Sequence, residues 1–82
     1  MLEYMPKLPQ VSGKQTIKAL RKIGFVRVSQ KGSHIKLQRV FQNQKQIVTI
    51  PNHKSLKRGT LRNGILKPIG LTTKEFINLL RK

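Results

Sequence analysis

Apolar residues near the start of the chain recur at helical spacing. Ile17, Leu20 and Ile23 fall on one face of a helix, which the spacing predicts over residues 13–23. Ser12 is followed three residues later by a glutamine, and this pattern is typical of a capping box at the start of a helix. The chain therefore begins its ordered part with an amphipathic helix.

Three short segments then change to strand-like patterns. Residues 25–29, 34–40 and 46–50 are rich in β-branched residues or alternate apolar with polar residues, and Pro51 ends the last of them. Such segments, bounded by turn residues, predict β-strands. Because the connections between them are short, we expect an antiparallel meander.

Two more helices are predicted in the last third. Leu61 and Ile65 are at helical spacing, but Pro68 would crowd the carbonyl of Gly64, so we expect this second helix to be short or kinked. A final helix follows the segment Thr72–Glu75, which resembles another capping box.

Together these elements predict a small α+β domain of the layout α-β-β-β-α(-α). It would have a three-stranded antiparallel sheet with the helices on one face. The predicted core consists of Ile17, Leu20, Ile23, Val26, Val28, Ile35, Leu37, Val48, Ile50, Leu61, Ile65 and Phe76. We expect residues 1–11, which contain two prolines, to be extended or loosely ordered, and the domain to occupy residues 12–82.

Positive charge dominates the composition. Eighteen Lys and Arg against two Asp and Glu give a formal net charge of +16 at pH 7, and self-repulsion on this scale predicts a polyanionic partner. Nucleic acid is favoured over a membrane, because no long apolar run or amphipathic anchor accompanies the charge.

Two basic clusters are the candidates for phosphate contacts. One is a stripe at helical spacing in the first helix, and the other lies at the start of the second helix. The first comprises Lys14, Lys18, Arg21 and Lys22, and the second comprises Lys54, Lys57, Arg58 and Arg62. The residues predicted to contact phosphate are Lys14, Lys18 and Arg21 in the first cluster and Lys57, Arg58 and Arg62 in the second. Other cations, namely Lys45, Lys74, Arg81 and Lys82, are interpreted as solvated surface charge.

The chain has no cysteine and only two histidines. A disulfide framework and a cysteine-based metal site are excluded, and we expect neither a metal nor another cofactor. No segment resembles a secretory signal or a membrane span, so we expect a cytoplasmic protein.

One histidine lies where a turn becomes a strand. Gly32 supplies the turn, which Ser33 supports, and the alternation that follows sends Ile35 to the covered face of the sheet. His34 and Lys36 would then lie on the opposite face. The pattern predicts an exposed His34 at the uncovered face or its rim.

This position suits the cleavage of RNA. RNA carries its own nucleophile, the 2′-hydroxyl, so cleavage needs proton transfer, which imidazole performs near neutral pH, and positive charge at the phosphate. Lys31 and Lys36 flank His34 and could supply that charge, and His53 is a possible helper. The pattern leaves open that His34 is an ordinary surface residue of a noncatalytic RNA-binding module. A DNA-binding regulator is disfavoured, because no helix-turn-helix emerges.

Several short motifs spread over most of the chain carry a family resemblance. They are Leu8–Lys14, Lys22–Phe25, Gly32-Ser33-His34, Ile50–His53 and Leu56–Leu61. Together they resemble the HicA-type toxins, small mRNA interferases that are also described as YcfA-like.

The resemblance implies a fold like that of a double-stranded-RNA-binding domain and a toxin of a type II toxin–antitoxin system. It implies an endoribonuclease that cleaves mRNA and so inhibits translation, with a HicB-type antitoxin as its partner. On the matching motif it assigns the catalytic role to His34.

Overall fold

Seven elements follow one another along residues 7–81, the part of the chain that the computed structural model describes. In order they are α1 (Gly13–Arg21), β1 (Val26–Lys31), β2 (His34–Phe41), β3 (Gln44–Pro51), a π-helix (Thr60–Leu66), a 3-10 helix (Lys67–Ile69) and α2 (Thr73–Arg81). The predicted α+β layout is confirmed.

Helix α1 begins at the predicted capping box. The Ser12 hydroxyl accepts a hydrogen bond from the backbone N–H of Gln15 (3.0 Å), and the Gln15 side chain accepts one from the backbone N–H of Ser12 (2.8 Å). The helix ends at Arg21 rather than at the predicted residue 23. The next N–H groups bond three residues back instead of four, and Gly24 takes a left-handed φ of 100°.

The three strands form an antiparallel sheet in the order β1-β2-β3. Gly32, with a φ of 58°, lies in the turn between β1 and β2, and Gln42 and Asn43 form the turn between β2 and β3. Both of these residues have positive φ values, as the favoured two-residue hairpin turns require.

One face of the sheet is covered by the helices. On β2 and β3 the buried side chains are Ile35, Leu37, Val48 and Ile50, and the residues between them on β3 point to solvent. Helix α1, the π-helix and the 3-10 helix all contact β3. The core comprises Leu8, Val11, Ala19, Leu20, Phe25, Ile35, Leu37, Val48, Ile50, Leu56, Leu61, Ile65, Leu66, Ile69 and Phe76.

Two predicted core positions on β1 are wrong. Val26 and Val28 are 55% and 43% exposed, whereas Phe25, which precedes the strand, is buried. The register with β2 shifts between Arg27 and Ser29, so a bulge interrupts the simple alternation. Two further predicted core residues, Ile17 and Ile23, are partly buried against the core.

The irregular second helix is confirmed. It is a π-helix that passes directly into a 3-10 helix containing Pro68, and Gly70 ends it with a φ of 72°. Helix α2 then starts with the second capping box, in which the Thr72 N–H donates to the Glu75 carboxylate (2.9 Å). The Glu75 N–H donates to the Thr72 hydroxyl (3.1 Å).

The segment before α1 contains no regular element within residues 7–12. Leu8 is 1% exposed and Val11 is buried, so both belong to the core. Residues 1–6 lie outside the described residues, and the domain boundary at residue 12 stays a prediction. Among residues 7–81, none of the helices has the length and apolar character needed to cross a membrane.

Candidate nucleic-acid interface

His34 is the first residue of β2, directly after the turn at Gly32 and Ser33. Two hydrogen bonds hold this turn from opposite sides. The Gln30 side-chain amide donates to the carbonyl of Gly32 (2.9 Å), and the backbone N–H of Asn52 donates to the carbonyl of Ser33 (2.6 Å). The backbone that carries His34 is therefore held by a side chain of β1 and by the residue that follows β3.

The side chain of His34 is exposed, as predicted. In the register His34 lies between Lys31 on β1 and Pro51 on β3, and residues paired in this way share one face of a sheet. Lys36, two residues further along β2, lies on the same face and is paired with Thr49. The uncovered face thus brings His34 together with two exposed lysines.

A second feature is a groove of about 510 Å³ between α1 and β1. Its walls carry four cations, three from α1 and one from β1. The residues that line it are Lys14, Ile17, Lys18, Arg21, Arg27, Gln30, Ile35 and Asn52. We call this feature the α1–β1 groove; it gathers Lys14, Lys18 and Arg21 of the predicted basic stripe, whereas Lys22 does not line it.

The groove exists because the helical layer lies over β3 and leaves β1 uncovered on both faces. Every residue of β1 is exposed. Arg27 is paired with Leu37, and Gln30 is paired with Ile35, so both polar side chains lie on the face of the sheet that the helices cover elsewhere. Both side chains line the groove together with residues of α1.

The sequence motifs do not single out Arg27 or Gln30. With Val26 and Val28 assigned to the core, the alternation of a strand places Arg27 on the solvent face. Phe25 was the usable signal, because a large aromatic residue anchored in the core places Arg27, two residues on, on the same face. The bulge, which moves Gln30 onto that face as well, has no comparable signal in the sequence.

The groove and His34 lie on opposite faces of the sheet, but one end of the groove is next to the turn that precedes His34. Asn52 lines the groove, and its N–H bonds to Ser33, the residue before His34. The end of the groove is therefore adjacent to the turn that carries the imidazole.

The second predicted basic cluster is separate from the groove. The Arg58 Nε donates to the carbonyl of Leu8 (2.7 Å), so part of this guanidinium holds the N-terminal segment in place. Arg62 lines a depression of about 250 Å³ that shares no residue with the groove. Lys57 is exposed.

His53 lies next to the groove. It lines a depression of about 280 Å³ together with Lys54, and this depression shares Lys14 and Asn52 with the groove. The carbonyl of His53 accepts a hydrogen bond from the N–H of Gly13 (2.9 Å), so its backbone also anchors the start of α1.

Arg39, which sequence analysis did not single out, is a structural cation. Its guanidinium donates to the carbonyl of Ile23 (2.9 Å) and to the side chain of Gln46 (2.7 Å), and it lies over two aromatic rings. The distances to the ring centroids are 4.8 Å for Phe25 and 4.2 Å for Phe41. Burial lowers the pKa of Arg39 from its usual range.

Negative charge on the described surface is confined to one side chain. Glu75 is the single acidic residue among residues 7–81, and it caps α2 through Thr72. The cations around His34 and in the groove therefore have no carboxylate side chain of the described residues beside them, and their field is available to an external anion.

A comparison with known families gives a direct match. The model of the family described as "HicA toxin of bacterial toxin-antitoxin" matches residues 13–71, a range that includes α1, the whole sheet and the turn before His34. Neither a search of curated proteins nor a search of solved structures found a match. The family match spans well over half of the chain and agrees with the motifs seen in the sequence, and it implies an antitoxin partner. The chain belongs to the HicA family of toxins from bacterial toxin–antitoxin systems.

Proposed function

We propose that this toxin is an endoribonuclease that cleaves mRNA, with His34 transferring the protons, and that it inhibits translation in this way. The observation that carries the proposal is the exposed imidazole on a doubly anchored turn, on the same sheet face as Lys31 and Lys36. An imidazole on an anchored backbone, on the same sheet face as two cations, suits the proton transfers and the phosphate charge of RNA cleavage.

The reaction needs only groups that this chain and its substrate possess. A proton leaves the 2′-hydroxyl, the 2′-oxygen forms a bond to the adjacent phosphorus, and the bond from phosphorus to the 5′-oxygen breaks. The leaving 5′-oxygen takes up a proton. The products are a 2′,3′-cyclic phosphate and a 5′-hydroxyl, so atoms and charge balance without a metal ion.

His34 serves as the base, the acid or both in turn, since an imidazole can accept and return a proton near neutral pH. Lys31 and Lys36 stabilise the negative charge that develops on the phosphate oxygens. His53 is the candidate for a second proton-transfer group, because it is the other imidazole of the chain.

Binding of the RNA backbone is assigned to both basic clusters. Lys14, Lys18 and Arg21 line the α1–β1 groove, and Lys57, Arg58 and Arg62 form the second cluster. Arg58 keeps its terminal nitrogens for phosphate, because the bond to Leu8 uses only Nε. A HicB-type antitoxin is the proposed partner, and the cytoplasm, where mRNA is translated, is the proposed location.

The test uses an unstructured RNA incubated with the purified toxin in excess chelator. We expect cleavage with cyclic-phosphate and 5′-hydroxyl ends, and a single 2′-deoxy substitution at the cut position should stop cleavage there. Cleavage that requires a divalent cation, or that proceeds past the 2′-deoxy position, would contradict the mechanism. Intact RNA in a stable, salt-sensitive complex would indicate a noncatalytic binding module instead.

A further inference from the structure

We infer that the α1–β1 groove holds a single strand of the RNA substrate, which then crosses the turn at Gly32 and Ser33 to reach His34. This inference rests on the proposed function and adds the substrate class and the path of the strand. It also assigns Arg27 and Gln30, which no motif of the sequence singled out, to RNA binding.

The charge of the groove suits a nucleic-acid backbone. Lys14, Lys18 and Arg21 lie along one side of α1 and face Arg27 on β1. From Lys14 to Arg21 the helix advances about 10 Å at about 1.5 Å per residue, so the groove offers a row of cations rather than one isolated anion site. A chain of phosphates matches such a row.

The floor of the groove distinguishes a single strand from a duplex. The apolar residues that line it are Ile17, which is partly buried, and Ile35, which is 4% exposed. A single strand can place a base or sugar against Ile17 while its phosphates contact the cations, since the bases of a single strand are free to leave the stack. A duplex keeps its bases stacked inside and presents phosphates and sugars, so it would leave the floor unused.

The polar group of Gln30 lies where the strand would leave the groove. Its amide nitrogen donates to the carbonyl of Gly32, and its oxygen accepts from the Arg27 guanidinium. Asn52 at the same end bonds to Ser33. Around Gly32 there is open space at the position of a side chain. The turn therefore leaves a free passage from the groove to the face that carries His34.

Binding can be measured in a protein that also carries His34→Ala, so that the RNA stays intact. The groove variant Lys18→Gln/Arg27→Gln removes one lysine and one arginine from the groove. The matched control Lys74→Gln/Arg81→Gln removes the same two charges from exposed positions on α2. The probes are a labelled uridine-rich single strand and an RNA duplex of equal length, titrated over a range of salt concentrations.

The groove variant should bind the single strand roughly tenfold more weakly than the control. Its slope of log affinity against log salt should be smaller by about 1.4, because each lost contact to a single strand releases about 0.7 counterion fewer. The parent protein should bind the single strand more tightly than the duplex. Equal losses in the two variants, or tighter binding of the duplex, would overturn the inference.

A second measurement avoids substitution in the groove. The His34→Ala protein is photo-cross-linked to a single strand that contains 4-thiouridine, and the modified peptides are identified. Cross-links within residues 14–30 are expected. Cross-links confined to the second basic cluster or to α2 would overturn the inference even if both double variants fold normally.

The two proposals fail in distinguishable ways. If wild-type protein does not cleave RNA but the groove variant loses binding, the proposed function fails and the groove assignment stands. If wild-type protein cleaves RNA and the groove variant, with His34 restored, binds and cleaves as the control does, the groove assignment fails and the proposed function stands.

Discussion

The two edge strands of this sheet pair with the same central strand and yet have opposite environments. On β3, Val48 and Ile50 are buried beneath α1 and the two irregular helices. On β1 every residue is exposed, and a bulge interrupts the register with β2. The β3 edge of the sheet therefore belongs to the hydrophobic core, whereas the β1 edge is exposed to solvent.

This difference explains where a concave surface remains open in a domain of this size. A chain of 82 residues buries a limited core, so covering both edges would leave little concave surface for a ligand. By placing the helical layer over β3, the fold leaves the α1–β1 groove and the turn before His34 open to solvent. Substitutions on the two edges should therefore affect different properties.

The largest loss of stability is expected where α1 meets the end of β3. A Cβ atom at Gly13 would lie 2.2 Å from the backbone oxygen of Pro51, so Gly13→Ala forces the helix away and should cost about 3 kcal/mol of unfolding free energy. Gly64→Ala in the π-helix meets no atom within 4 Å and should gain about 0.5 kcal/mol. Urea unfolding of both variants measures the difference. Equal free energies of unfolding for the two variants would contradict the close approach of Gly13 to the backbone of Pro51.

The same residue type on the two edge strands gives the next test. Val48 is 4% exposed on β3, and Val28 is 43% exposed on β1. Val48→Ala should lower the free energy of unfolding by about 2 kcal/mol through lost burial and a cavity. Val28→Ala should change it by less than about 0.5 kcal/mol. Similar losses of unfolding free energy at both positions, measured by thermal or urea unfolding, would contradict the difference in burial between β3 and β1.

Two arginines on the same face of the sheet sharpen the comparison further. Arg39 is fixed by Ile23, Gln46 and two rings, so Arg39→Gln should cost about 1 to 2 kcal/mol. Arg27→Gln should cost less than about 0.5 kcal/mol and should instead weaken RNA binding. Unfolding and RNA titration of the same two proteins measure both effects; an unstable Arg27→Gln protein would contradict the assignment of β1 to function.

The smallest effect on stability is expected from lowering the pH, through the Glu75 carboxylate that caps α2. The backbone N–H of Thr72, and then its hydroxyl, lower the pKa of Glu75 below its usual 4.5. Because the folded-state pKa lies below the unfolded value, the stabilisation is present above pH 4.5 and is lost as the pH falls through the folded pKa. Glu75→Gln should remove this acid dependence from unfolding curves. The neutral Gln15 at the matching position of α1 should contribute none, and an unchanged acid profile in Glu75→Gln would contradict the cap.

Patterns with local physical causes were predictable from the sequence. The two capping boxes, the three strands, the kink near Pro68 and the exposure of His34 depend on neighbours within a few residues. Which side chains of β1 lie on the covered face of the sheet was not predictable in the same way. A bulge changes which side chains face the core, and it depends on pairing with β2 rather than on the residues of β1 alone.

The candidate site was predictable to a similar extent. The basic stripe of α1 follows from helical spacing, and three of its residues, Lys14, Lys18 and Arg21, line the groove. Gln30 could not be added, because its face depends on the bulge in β1. Arg27 could have been added only by giving Phe25, rather than Val26 and Val28, the core position. The separation of Arg62 from the groove depends on where the π-helix packs, which no local pattern specifies.

The most direct test of the account is the rate of RNA cleavage under single-turnover conditions with saturating protein. His34→Ala should lower the rate by about 10²- to 10⁴-fold, with unchanged RNA affinity and thermal stability, because the side chain is exposed and only transfers protons. His53→Ala, which removes the other imidazole, should retain a higher rate than His34→Ala. A His34→Ala protein that cleaves RNA at the wild-type rate would contradict the central claim.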